Sequence, residues 1–369
     1  MTDAFIMGQD WETIVNKNEK LSSVKKQDVI NFANKYFNDN YIVVNKLNGV
    51  PNSVKVEKPQ ITTIPLNRDT SSLFAQDFQK LNTSRQSPVF NNYLSDVKKF
   101  ELDNNIQGYY VENTTNHLFS LSYIIDMGKF SDKELSLAVN YLEYLGTNQY
   151  SANEIEQEMF KLGLSYNVFA SNNRVYIQLS GLEESFEEGL QIFEHILSHA
   201  TPDQEKYDNM ILDILRERAD NKLSKWQILS GMRNYAKYGE KSPFKHFLTE
   251  EELVGIDVKN LTQKIKTLME YNHYIYYYGR KDMDEVKSLV NFYHKTPKKF
   301  RSIIEPENFV ELDNTENKVY FVDYDMVQAE ISMISKGVPY NMELIPAAKV
   351  FNEYFGSGLS SIVFQEIRE

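Results

Sequence analysis

The sequence repeats itself at a spacing of 210 residues. Asn140-Tyr141-Leu142-Glu143-Tyr144-Leu145-Gly146 returns as Val350-Phe351-Asn352-Glu353-Tyr354-Phe355-Gly356. The stretch before it returns at the same spacing, Ser120-Leu121-Ser122-Tyr123-Ile124 as Glu330-Ile331-Ser332-Met333-Ile334. The other end of the pattern also has its echo. Asp257-Val258, a helix and Tyr274-Ile275-Tyr276 answer Asp28-Val29, a helix and Tyr41-Ile42-Val43. A fixed period of this kind means that one structural unit is copied along the chain, which rules out a single non-repeating domain. The order of the matches predicts the tail of one unit over 1–49, a linker over 50–95, a whole unit over 96–300 and the head of a third over 301–369. In the linker, Pro51, Pro59, Pro65 and Pro88 punctuate a stretch without periodicity, too long for an ordinary loop. The sequence is therefore expected to be the middle of a longer chain, cut at both ends.

Local periodicity fills in the whole unit. Strands are predicted at 107–112, 117–126, 164–170, 173–180 and 273–278. In the fourth, Val175, Ile177 and Leu179 alternate with Arg174, Tyr176 and Gln178. Helices are predicted at 131–145, 151–162, 184–199, 203–222, 224–238, 257–269 and 281–294. The second opens with Ser151 three residues before Glu154, the pattern of a capping box. In the preceding tail, Val29, Phe32, Ala33 and Tyr36 share a helical face, and Tyr41–Val44 reads as a strand. The class is α+β, a mixed sheet with helices packed on one face.

Composition removes several functions. The net charge is −12, so a nucleic acid or an anionic membrane surface, which needs a basic face, is not the expected partner. Cysteine is absent, which excludes disulfides, a thiolate nucleophile and Cys-ligated zinc. No apolar run reaches the roughly 18 residues of a membrane span. Gly356 and Gly358 lack the spacing and the Lys of a phosphate loop and read as a helix-to-helix turn. Tyr276–Tyr278 reads as strand packing, and Lys295, Lys298, Lys299 and Arg301 as a solvated linker beside Glu305 and Glu307.

Two motifs resemble a known family. Tyr144-Leu145-Gly146-Thr147-Asn148-Gln149-Tyr150-Ser151-Ala152-Asn153-Glu154-Ile155 resembles the stretch after the zinc motif of the pitrilysin/insulinase peptidases. Phe355-Gly356-Ser357-Gly358-Leu359-Ser360-Ser361, running into Phe364-Gln365-Glu366-Ile367-Arg368-Glu369, resembles a motif of their C-terminal half. The stretch from Leu179 to Arg218 is also similar, so the resemblance covers most of the chain. It implies a parent built of homologous α+β units that closes in two halves around a peptide, with zinc held by its first unit. There an H-x-x-E-H helix puts two imidazoles on one face and a Glu beside the zinc-bound water.

Aligned on Gly146-Thr147, those three positions are here Leu137, Asn140 and Tyr141, none of which can replace His or Glu. The third unit is equally empty at Ala347, Val350 and Phe351. Glu217, 76 residues past Tyr141, is the candidate for the family's third ligand, a leftover carboxylate without partners. Arg368 matches an Arg that contacts bound peptide in the family, a role its planar fork of donors suits. No catalytic residue and no bound metal are expected in this segment. An alternative metal site is Glu194, His195 and His199, because Gln191-Ile192-Phe193-Glu194-His195 is one substitution from H-x-x-E-H; the blander reading is a histidine-rich helix end.

The expected function is thus the non-catalytic part of a zinc metalloendopeptidase, forming chamber wall and peptide-contacting surface. The alternative is an inactive scaffold or peptide-binding subunit beside an active peptidase. Expected partners are peptide substrates, the remaining units of the same parent chain and further copies of this segment. The resemblance points to the periplasm of a Gram-negative bacterium.

Overall fold

The computed structural model describes residues 2–45, 59–60, 71–82, 87–88, 90, 92–313 and 315–368. The expected linker lies largely outside them. The chain forms two compact units, residues 1–86 and 87–369.

The first unit is helical over its described residues. Short helices at Thr2–Ile6, Trp11–Val15 and Lys17–Ser23 lead to a longer one, Lys26–Tyr36, at the expected place. Its apolar residues Val29, Phe32 and Tyr36 stay exposed. Tyr41–Val44 is not a strand. A run of β-branched and aromatic residues suits a strand, but a strand exists only where another one takes its hydrogen bonds.

The second unit is built on a six-stranded mixed sheet. The strands are β1 (Lys98–Glu101), β2 (Gln107–Glu112), β3 (Leu118–Ile125), β4 (Leu164–Ala170), β5 (Val175–Leu182) and β6 (His273–Gly279). Their spatial order is β1-β2-β6-β3-β5-β4, and only the β2–β6 pair is parallel. Helices α1 (Glu134–Leu142) and α2 (Ala152–Lys161) connect β3 to β4. Helices α3 (Phe186–His199), α4 (Gln204–Asn221), α5 (Lys225–Tyr238) and α6 (Val258–Lys266) connect β5 to β6, and α7 (Met283–Tyr293) follows.

Alternation along the strands sorts the two faces of the sheet. Phe119, Leu121, Tyr123 and Ile125 of β3 point into the core with Val175, Ile177 and Leu179 of β5 and Ile275 and Tyr277 of β6. There they meet Leu190 and Phe193 of α3, Leu261 and Ile265 of α6, and Val286 and Val290 of α7. The opposite face is aligned by register into cross-strand rows. Tyr109, Tyr276, Ser122, Gln178 and Asn167 make one row; Tyr274, Ile124, Tyr176 and Phe169 make the next. On β1 the first row continues to Lys99, whose ammonium lies 5.9 Å from the centre of the Tyr109 ring.

Of the two elements expected to open a third repeat, the helix is present and the strand is not. Helix α8 (Ile345–Phe355) stands where α1 predicts it, but it buries none of its residues. The stretch 330–334 carries no strand. Instead the chain before and through it runs along α5. Leu312 N–H donates to Lys237 O (2.7 Å), Tyr324 O–H to Leu223 O (2.6 Å) and Arg233 Nε to Ser332 Oγ (2.9 Å), while Lys225 pairs with Glu330 (2.9 Å).

Candidate functional site

Helix α1 is where the resemblance locates a degenerate zinc motif. Six of its residues are buried, among them Leu137 and Tyr141, while Asn140 faces solvent. The Tyr141 hydroxyl donates to Asp203 O (2.6 Å) and accepts from Asp203 N–H (2.8 Å), so it closes the turn that starts α4. Its ring meets that of Tyr207 edge-on at 5.6 Å. Burial pushes the Tyr141 phenol up, away from the ionised form a metal would need. Leu137, Asn140 and Tyr141 therefore do not fit a zinc ion, and α1 serves packing.

Glu217 is exposed on α4. The side chain of Arg368 lies outside the described residues; its backbone ends the last helical turn, Phe364–Arg368.

His195 and His199 do come together near the end of α3. Their rings stack at 4.5 Å with planes 16° apart, so their in-plane lone pairs run side by side and do not converge on one point. His195 Nε2 is bonded to Thr147 Oγ1 (3.1 Å) and His199 Nδ1 to Ser198 Oγ (2.7 Å). Burial and the neighbouring His199 lower the His195 pKa. Glu194, which the alternative metal site required, lines one cavity with both histidines, but its Oε1 is taken by Tyr123 and His294. Among the described residues, no group of three or more His, Asp or Glu could hold a metal ion.

Glu194 instead anchors a buried polar chain that sequence reasoning missed. Its Oε1 accepts the Tyr123 hydroxyl (2.6 Å) and contacts His294 Nδ1 (2.9 Å). His294 Nε2 meets His273 Nε2 at 2.9 Å, and His273 Nδ1 contacts Tyr271 O (2.8 Å). Tyr123, His273 and His294 are all buried. Burial, with the adjacent His294, pushes His273 down to about 4, against the bond to Tyr271. Burial and Glu194 push the Tyr123 phenol well up. Parity held the signal: His273 shares its strand face with Ile275 and Tyr277. A second carboxylate, Glu183, accepts the Tyr277 hydroxyl and the amides of Arg280 (2.9 Å) and Lys281 (3.2 Å), fixing the exit of β6.

The remaining chemistry is that of backbone. Strand β4 is the outer strand beside β5, and Ser165, Asn167 and Phe169 on it are exposed. An outer strand offers unpaired N–H and C=O groups to another extended segment.

Comparison with known proteins agrees with this architecture. Residues 110–250 match the model of the insulinase family, peptidase family M16. An inactive domain of an M16 peptidase from Pseudomonas fluorescens is 17% identical with a TM-score of 0.50, covering 57% of this chain and 54% of that one. A mutant of the ferredoxin protease FusC, solved with Arabidopsis ferredoxin, is 12% identical with a TM-score of 0.51, covering 79% of this chain and 30% of that one. At such identities the likeness is one of fold. The chain spans about half the length of the first and under a third of the second. No curated protein matches the sequence. Over residues 110–250 the chain is thus similar to the insulinase family, peptidase family M16, and the unit that contains them has the fold of M16 peptidase domains.

Proposed function

We propose that this chain is a non-catalytic part of a zinc-dependent metalloendopeptidase, forming chamber wall and a peptide-contacting surface. The zinc site belongs to a unit N-terminal to it in the parent protein. Residues 1–49 are the end of that preceding repeat, and 301–369 begin the following one. The observation that carries the proposal is α1: its Leu137 and Tyr141 are spent on the core, and the Tyr141 hydroxyl is spent on the Asp203 backbone. Peptide is held by strand addition at β4, where main-chain hydrogen bonds give affinity without a fixed sequence. Arg368 contacts peptide, and Glu217 is a remnant of the family's third ligand. The parent works outside the cytoplasm, as the family resemblance implies.

The test uses the metal-free chain with and without added zinc. Unstructured fluorescent peptides are expected to bind, by anisotropy, and to remain uncut in both conditions. Peptides N-methylated at alternate residues are expected to bind at least tenfold more weakly, as lost main-chain bonds of about 1.4 kcal/mol in total would require. Zinc-dependent cleavage, or binding indifferent to N-methylation, would overturn the proposal.

A further inference from the structure

The chain Tyr123–Glu194–His294–His273 spans four elements, and its hydrogen bonds can be satisfied by only one proton count. Glu194 Oε1 already accepts from the Tyr123 hydroxyl, so His294 Nδ1 must bring a hydrogen to it. His273 Nδ1–H is committed to the Tyr271 carbonyl, so its Nε2 offers a lone pair, and His294 Nε2–H fills it. His294 is therefore an imidazolium opposite a carboxylate, and His273 is neutral. One more proton has no acceptable place. On His273 it would set two N–H groups head-on at 2.9 Å. On Glu194 it would leave a buried imidazolium without its counter-charge. One proton fewer sets lone pair against lone pair at one of the two His294 contacts.

We propose that Tyr123, Glu194, His294 and His273 are a one-proton latch, which fastens the end of α7 to α3 and β6 and opens when a second proton arrives. His294 is the residue that ends α7, and its own amide bonds to Val290 O (2.8 Å). Beyond it, the segment 295–301 is held by Asn104 Nδ2 on Thr296 Oγ1 (3.0 Å) and by Arg301 N–H on Glu270 O (2.8 Å). The cavity of about 660 Å³ that Glu194 shares with Tyr293 and Lys295 gives solvent its way to the latch. The same cavity is lined by Glu158, which pairs with Lys161, and by Glu188, His195 and His199. Lys295 Nζ bonds back to Asn291 O (3.4 Å), Glu187 is taken by the Tyr293 hydroxyl (3.1 Å), and Arg301 pairs with Glu270 (2.6 Å). The rings of Phe300 and Phe193 supply apolar walls. The depressed affinity of His273 for a proton agrees with this arrangement.

Backbone amide exchange on the whole chain tests the latch, with rates corrected for the intrinsic effect of pH. Between pH 7 and pH 5, protection at the His294 and Arg301 amides is expected to fall about sixfold relative to amides of β5, because the opened latch takes up protons on both histidines near the ordinary 6.5 while the closed latch already holds one and takes the second only near 4. In His273→Phe, which keeps the Glu194–His294 pair and fills the ring space, the fall is expected to shrink below about twofold. Equal loss at β5, no loss at all, or the full loss in His273→Phe would overturn the proposal. If that variant does not fold, imidazole NMR of the unaltered chain decides. Coincidence of the His273 titration with amide release supports the latch, and midpoints separated by more than about one pH unit refute it.

Discussion

At the scale of one residue, Tyr141 holds two elements through a single oxygen. Tyr141→Phe leaves the Asp203 carbonyl and amide without a partner, so stability is expected to fall by about 1–3 kcal/mol in urea denaturation. Gly108 is required for a different reason. A Cβ there would stand 2.3 Å from Phe100 Cζ, because the ring of Phe100 lies flat on the glycine. Gly108→Ala is expected to cost about 1–3 kcal/mol, and Gly108→Ala with Phe100→Leu to recover part of it. His273 sets a pH dependence whose sign is fixed. Above 6.5 it is neutral in both folded and unfolded chains. Between 6.5 and about 4 only the unfolded chain takes the proton, so stability falls as pH falls. The loss is complete below about 4 and amounts to about 3 kcal/mol, measurable as a drop in the urea midpoint between pH 7 and pH 4.5.

At the scale of elements, the order of strands and helices in the complete unit was legible, since each carries its own period. The helix over 151–162 appears as Ala152–Lys161, with the capping box of Ser151 and Glu154 in place. Ser151→Ala should lower the thermal midpoint, by a loss of about 1 kcal/mol, while Asn153→Ala at the exposed neighbour should not. What the sequence misled on were strands without neighbours. Tyr41–Val44 is a run of strand-favouring apolar residues and 330–334 largely alternates as strands do, but such patterns are local and pairing is not. β1 escaped notice for the converse reason: Lys98-Lys99-Phe100-Glu101 is mostly polar, and Phe100 alone on it is buried. The candidate site was legible only as a deficit, the loss of His and Glu at 137, 140 and 141. That Glu194 turns inward depended on His294, a hundred residues away, and no spacing along the chain reveals such a meeting.

At the scale of the molecule, nearly all the buried apolar residues fall between Phe100 and Val290. A chain shortened to residues 93–312 is therefore expected to unfold in one transition, within about 1 kcal/mol of the full chain, because the lost segments add little buried apolar surface. Multiphasic unfolding of the short chain would contradict this. The outer face of the sheet, where rows of Tyr, Ser, Asn and Gln carry only Lys99 and the Arg174–Asp126 pair as charges, also bears on how the molecules behave in a crowd. A chain of net charge −12 and pI near 5.2 keeps its copies apart by long-range repulsion, and this face adds nothing to that repulsion. Salt at about 0.1 M confines repulsion to roughly 10 Å, close to the reach of a side chain. Added salt is therefore expected to weaken the repulsion between copies and leave this face open to short-range contact.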